Sequence, residues 1–441
     1  MHESFSFQAE WEAVDGSRGD EIRATWARFS LCVNGYPITR VLDSRSGCYR
    51  DHILVPLYPV TEWIVRNWWS LLHEPEVTGD REYPWRHDLR FGREGYVLPA
   101  LNITPQGSQV MLQWQPEDYG IITFPSSGSA VVPMNEFREA LSRWVELVIG
   151  RLEACHVQDT LLQEEWEAIQ QAPAEERAFC IAAAEAGLNP YTAGEAEANT
   201  IVEVAERLPQ AWHEDFFSAL TVADLRAGAD YVLSFRESIR SASLDLGPLN
   251  ALSAKMQGLR SALSAPSPWD AGYQAAVLLR KAADIGDSPL PSNQELAEAL
   301  GMRELPLITM DRQPQTRWLD AVTETSEAHR GGIALASRRE IPTRFAFCRG
   351  LIELMVSDGP ATSLITAART ERQKRNRAFA AELLAPAQWL RKQDWGRVVE
   401  DEAIEDIAGE LGVYSEVVRR QLVNHHIVKP EIYQGRAGAD A

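Results

Sequence analysis

Metal ligation, nucleophilic attack and phosphate binding each need particular residue types at particular spacings. The nine histidines are His2, His52, His73, His87, His156, His213, His329, His425 and His426. No two stand at i and i+4, the spacing that puts two imidazoles on one helical face. His425 and His426 are adjacent, and neighbours on a helix point about 100° apart, so they read as solvated side chains near a helix end. The five cysteines, Cys32, Cys48, Cys155, Cys180 and Cys348, contain no C-x-x-C pair. Neither a zinc ribbon nor a disulfide framework is indicated. No G-x-x-x-x-G-K-[ST], G-x-G-x-x-G or G-x-S-x-G is present, which removes the common signatures of nucleotide enzymes and serine hydrolases.

Three segments near the end of the chain stand out together. The first is Arg344-Phe345-Ala346-Phe347-Cys348-Arg349-Gly350-Leu351-Ile352-Glu353-Leu354. The second is Arg377-Ala378-Phe379-Ala380-Ala381-Glu382-Leu383-Leu384-Ala385-Pro386. The third is Ile407-Ala408-Gly409-Glu410-Leu411-Gly412-Val413-Tyr414-Ser415, followed by Val418-Arg419 and Gln421-Leu422-Val423-Asn424. In this order they resemble the ImmA/IrrE family of zinc metallopeptidase-like proteins. In that family a helix begins R-F and runs into A-H-E-L-G-H, a second helix carries an acidic ligand ahead of F-A-A-E-L-L-x-P, and a helical pair follows. The resemblance covers the chain from near Trp269 to Val428.

The residues at the ligand positions depart from the family. Aligning Arg344-Phe345 with its R-F puts Arg349 at the first zinc histidine, Gly350 at the catalytic glutamate and Glu353 at the second histidine. Counting back from Phe379 puts Arg375 at the third, acidic ligand. Zinc needs about three lone-pair donors and an open position for water. Arginine has no lone pair to give, and glycine has no side chain to act as a base. On this chemistry no metal or other cofactor is expected, and an Arg349/Glu353 ion pair with Arg375 close by would fill the old cavity. The competing arrangement is a rebuilt site drawn from Cys348, Glu353, Asp358, Glu371 and His329, which would make the chain a zinc endopeptidase with non-standard ligands.

Three further constellations bear on partners. Arg369, Arg372, Lys374, Arg375 and Arg377 fall within nine residues, and from Arg330 to Arg377 ten basic residues stand against four acidic ones. Such a cluster can neutralise phosphates, dock an acidic protein surface, or merely face water. Ile404–Asn424 reads as a helix-turn-helix-like pair, with Gly412 between the helices, Ser415 as N-cap, and Arg419 and Arg420 on the second helix. That helix opens acidic and apolar, unlike one that reads DNA, so a small packed subdomain is the plainer reading. Trp68 and Trp69 are adjacent, so on a helix they cannot both face one core. One of them is a candidate for partner binding, although core packing is the plainer reading for most of the tryptophans.

The elements that must position these groups follow from pattern and punctuation. The first stretch alternates at Phe5–Trp11 and 27–33, followed by Asn34-Gly35, a strong hairpin signal. Further strand pairs are expected at 101–104 with 110–114, turning at Pro105-Gln106-Gly107, and at 121–124 with 130–132. One helix is expected near 62–73. Another carries Phe137, Leu141, Trp144, Val148 and Leu152 on one face. Residues 160–265 read as entirely helical, with the best linker at 264–268. The last part mixes helices with strands at 305–310 and 332–336, and Ser292 and Glu295 fit a capping box. Three blocks result: an α+β domain at 1–155, a helical domain at 156–265, and a peptidase-like domain at 266–441. The fold class is α+β, multidomain.

Charge separates these blocks. From Arg330 onward there are 17 basic and 15 acidic residues, whereas the preceding 329 residues carry 26 and 48, a balance of −22. An all-over nucleic-acid glove is excluded. No apolar run reaches membrane-spanning length and no secretory signal opens the chain, so a cytoplasmic protein without membrane contact is expected. The combined expectation is a catalytically inactive, metallopeptidase-like regulatory or scaffolding protein with a protein partner. The resemblance adds a bacterial setting of stress response or phage and mobile-element regulation. A DNA-binding regulator is the third reading.

Overall fold

The computed structural model describes residues 4–428, apart from 15–18, 77–80, 266, 312–315, 327–328, 358 and 396–398. It is a multidomain α+β protein with two compact units, Met1–Val202 and Glu203–Ala441. Among the described residues no helix is long and apolar enough to cross a membrane.

The first unit is built on antiparallel strands. Phe5–Trp11 pairs with Trp26–Val33, which also pairs with Tyr36–Pro37 and Ile53–Pro56. The hairpin turn is Asn34-Gly35, with φ of 49° and 77°. Both residues are left-handed, as a two-residue hairpin of this twist requires. Ala100–Gln106 and Gln109–Gln115 form the expected second hairpin. Its turn lies one step later than expected, at positive-φ Gly107 and Ser108. The third expected pairing is wrong. Ile122–Phe124 pairs with Val41–Asp43 and Glu117–Asp118, while Gly128–Pro133 continues the sheet of Gln109–Gln115. Short range suggested a hairpin, and long-range pairing won. The helix expected at 62–73 is two, Tyr58–Arg66 and Trp68–His73, broken at Asn67. Met134–Ala154 buries Phe137, Leu141, Trp144, Val148 and Leu152 against the strands.

The helices of the expected middle block are shared between two cores. Leu161–Gln171 and Ala174–Glu185 give Leu162, Trp166, Ile169 and Cys180 to the first. Gly247–Lys255 gives Leu249 and Leu252 to the second. Nor is the block entirely helical: Leu244–Asp245 is a short strand in the second unit's sheet. The expected linker at 264–268 separates two helices, Leu259–Leu263 and Pro268–Ala282, that pack on each other. Ser267 caps the second of them.

That sheet runs Leu244–Asp245, Arg330–Leu335, Leu319–Thr325, Ala361–Thr366, all antiparallel, with Leu307–Thr309 added parallel to Arg330–Leu335. Successive strand residues point to opposite faces, and this places the helices. The face bearing Thr323 receives the first site helix, Glu340–Val356: a Cβ on its Gly350 would come within 2.9 Å of Thr323 and Ile333. The face bearing Glu324 receives Leu225–Ala242, whose Arg236 and Arg240 reach that carboxylate. The second site helix, Glu371–Leu384, packs on the first and on Pro268–Ala282. The capping box at Ser292 and Glu295 is formed with both of its bonds. Gly412, with φ of 61°, ends Asp401–Leu411 before Ser415–Asn424 begins. Ser415 is the first residue of that helix rather than its cap. Tyr414 holds the cap position without a side-chain bond.

Candidate functional site

The two site helices bring Arg349, Gly350, Glu353 and Arg375 to one place. Arg349 is 3% exposed. Its Nη1 donates to Asp320 Oδ2 at 2.6 Å, and its Nη2 donates to the Thr366 carbonyl at 2.6 Å and to Gln373 Oε1 at 2.7 Å. Burial pulls its guanidinium pKa down, and the Asp320 carboxylate pushes it back up. Its Nε is buried without a partner. The expected Arg349/Glu353 pair is replaced by Arg349/Asp320. Glu353 instead accepts from Arg375, from Asn376 Nδ2 at 2.8 Å and from Ser363 Oγ at 3.0 Å. Charged groups thus fill the space between the two helices, with different pairings from those expected.

Gln373 locks the site to the sheet. Among the described residues Ala361–Thr366 pairs with one strand, Leu319–Thr325. An edge strand leaves peptide groups unpaired unless something covers them. The Gln373 carboxamide does so: Nε2 donates to the Leu364 carbonyl at 2.7 Å, and Oε1 accepts from the Thr366 N–H at 3.0 Å. It occupies the place a neighbouring peptide would take. Asp215, 1% exposed, holds the start of the same helix by accepting from Thr370 and standing 3.4 Å from Arg372. Burial raises its carboxyl pKa.

The donor set does not fit a catalytic zinc. Among the described residues no three of His, Cys, Asp and Glu converge. Cys348 is fully buried in the apolar core, and burial pushes its thiol up to about 12. His329 is exposed and bonded to Asn250 at 2.7 Å, at the far edge of the sheet. Asp358 lies outside the described residues.

Most of the basic cluster points inward. Arg372 donates to the Ala211 carbonyl at 2.9 Å, Arg375 to Glu353, and Arg377 to the carbonyls of Thr366, Ala367 and Ala368. Burial, then Arg349, lowers the Arg377 pKa. Burial lowers Lys374 to about 8. Arg369 and Lys374 also have partners within the fold. Arg419 pairs with Asp401 at 2.7 Å and Arg420 with Glu416 at 2.6 Å. Arg372, Arg375 and Arg377, candidates for nucleic-acid or partner binding, thus place their guanidinium groups on carbonyls and carboxylates of the fold.

The reading of Trp68 and Trp69 is corrected. Both are buried, at 5% and 6% exposure, because their helix is covered on more than one side. Trp68 meets Trp166 edge to face, and Trp69 Nε1 donates to Tyr191 Oη at 3.0 Å. Neither offers a free face to a partner. Asp320, Gln373, Asn376 and Asp215 went unnoticed in the sequence. Asp320 sits on a strand that alternation did not reveal, and the other three carry no motif.

In comparison with known proteins, no family model, no curated protein and no solved structure matches the chain.

Proposed function

We propose that the second unit is a metallopeptidase-like body whose metal site has been exchanged for an arginine-centred lock, and that the chain is a non-catalytic regulatory or scaffolding protein. The observation that carries this reading is Arg349. At the first-ligand position of the ImmA/IrrE resemblance it is buried and spends its Nη groups on Asp320, Thr366 and Gln373. A guanidinium neither ligates a metal nor accepts a proton at physiological pH. Direct contact between Glu353 and Arg375 supports the reading, because second- and third-ligand positions of one centre would meet in this way. The Gln373 carboxamide on the edge strand supports it further, since it fills backbone positions an extended peptide would need. A protein partner and a role in stress response or phage-related regulation follow from the resemblance.

Metal content tests the reading. The untagged protein is exposed to zinc, desalted, and assayed by plasma mass spectrometry alongside hydrolysis of a quenched peptide library. A value near zero with no cleavage is expected. About one zinc per chain, or cleavage abolished by chelator, would overturn it.

A further inference from the structure

A second charged constellation lies on the opposite face of the same sheet. A pocket of about 500 Å³ opens beside the helix Leu225–Ala242, lined by Arg236, Arg240, Arg330, Glu324, Ser243 and Thr362 among others. Arg236 and Arg240 stand at i and i+4, a like-charge spacing that is itself unfavourable. Glu324, 9% exposed, holds them together: its Oε1 accepts from Arg236 Nε at 3.1 Å and from Arg240 Nε and Nη2 at 3.0 and 2.8 Å. Arg236 is also fixed over the buried Trp212 ring, 5.6 Å from its centre. Arg330 reaches into the same space from the sheet and donates to Ser243 Oγ at 3.4 Å.

Among the described residues lining this pocket, one carboxylate thus stands against three guanidinium groups. The lining groups alone carry an excess close to two positive charges, with Glu237 acting on Arg240 from outside the pocket, in a chain whose total is −20. We propose that this pocket binds a small phosphomonoester. A phosphate monoester carries about −1.5 to −2 at neutral pH, which matches this excess, and guanidinium forks chelate its oxygens. The volume suits a small molecule. Glu324 and Trp212 hold two of the forks in place before the ligand arrives, which reduces the ordering cost of binding. The hydroxyls of Ser243 and Ser326 line the same space and suit a hydroxylated carbon skeleton.

Isothermal titration calorimetry on the full chain tests this, with glycerol 3-phosphate as probe, inorganic phosphate as competitor and glycerate as carboxylate control. Saturable binding of glycerol 3-phosphate is expected, displaced by phosphate and stronger than that of glycerate. Arg330→Gln and Arg240→Gln change exposed side chains, and circular dichroism verifies their fold. Each is expected to weaken binding roughly tenfold or more, as loss of a charge-assisted bond should. Three results would overturn the proposal: no saturable binding up to about 1 mM, equal affinity in both variants and the parent, or glycerate binding as tightly. None depends on metal content, so the proposal and the reading of the arginine lock fail separately.

Discussion

Arg349 differs from a surface arginine because its partners are committed to it. Removing it takes a charge-assisted donor from Gln373 and from Asp320, whose side chain is 32% exposed, while the Thr366 carbonyl keeps Arg377. Breaking a fully buried pair from one side costs about 3–5 kcal/mol, and Asp320 is partly solvated, so Arg349→Met should lower unfolding free energy by about 2–3 kcal/mol. Arg375→Met should cost less, about 1–2 kcal/mol, because Glu353 keeps Ser363 and Asn376. Guanidinium titration of both variants checks the order, and equal losses would refute the picture of a lock centred on Arg349. His73 allows a pH prediction in the first unit. Burial, with Arg138 adding to it, lowers its pKa to about 4. The unfolded chain therefore binds the extra proton between about pH 6.5 and 4, and stability falls as the pH falls through that window. The slope is about 1.4 kcal/mol per pH unit for this one group. His73→Gln should reduce the stability difference between about pH 7 and about pH 5, as read by urea unfolding, and an unchanged difference would count against it.

Two close approaches set how the site elements pack. Gly350 lets the first site helix lie on Thr323 and Ile333. Gly272 lets Pro268–Ala282 lie against the second site helix, where an added Cβ would strike the Arg375 carbonyl. Gly350→Ala meets side-chain methyls that can shift, and should cost about 1–3 kcal/mol. Gly272→Ala meets backbone, which cannot step aside, and should cost at least as much. Thermal unfolding of the two variants reads the difference, and a stabilised Gly272→Ala would contradict the packing. Helices were the more legible elements. Leu161–Gln171, Asp401–Leu411 and Ser415–Asn424 all lie where helical spacing puts them, because each carries an apolar face. Leu319–Thr325 and Ala361–Thr366 were not read as strands. The first carries Asp320 and Glu324 within an apolar run, and each acid meets an arginine distant in sequence. The convergence of Glu353 and Arg375 could be read from motif spacing. Asp320 and Gln373 could not, since nothing local marks a side chain whose partner lies on another strand or helix.

At the scale of the molecule, composition and alternation marked strands early and helices later, but not where one core ends and another begins. Helical spacing says that a face is buried without saying against what. Leu162 and Trp166 turn to the first core, and Leu249, Leu252 and Met256 to the second, yet all share the same local pattern. The division falls inside the helix Glu195–Arg207, well ahead of the Pro-Ser-Pro stretch that suggests a linker. Fragments distinguish the two boundaries. A chain of 266–441 would lack Leu225–Ala242, which covers one face of the sheet, and Leu244–Asp245, which pairs with Arg330-Gly331. It would expose the Glu324 face and one apolar flank of the first site helix. Such a fragment should collapse without fixed side-chain packing, with helical circular dichroism but a broad, non-cooperative thermal transition. A chain of 195–441 retains both elements and should unfold in one cooperative step. A cooperative 266–441 fragment would mean that the sheet's covered face contributes little. In that case the block boundary at 266 would be the physical one and Glu324 would be dispensable to the second unit's core.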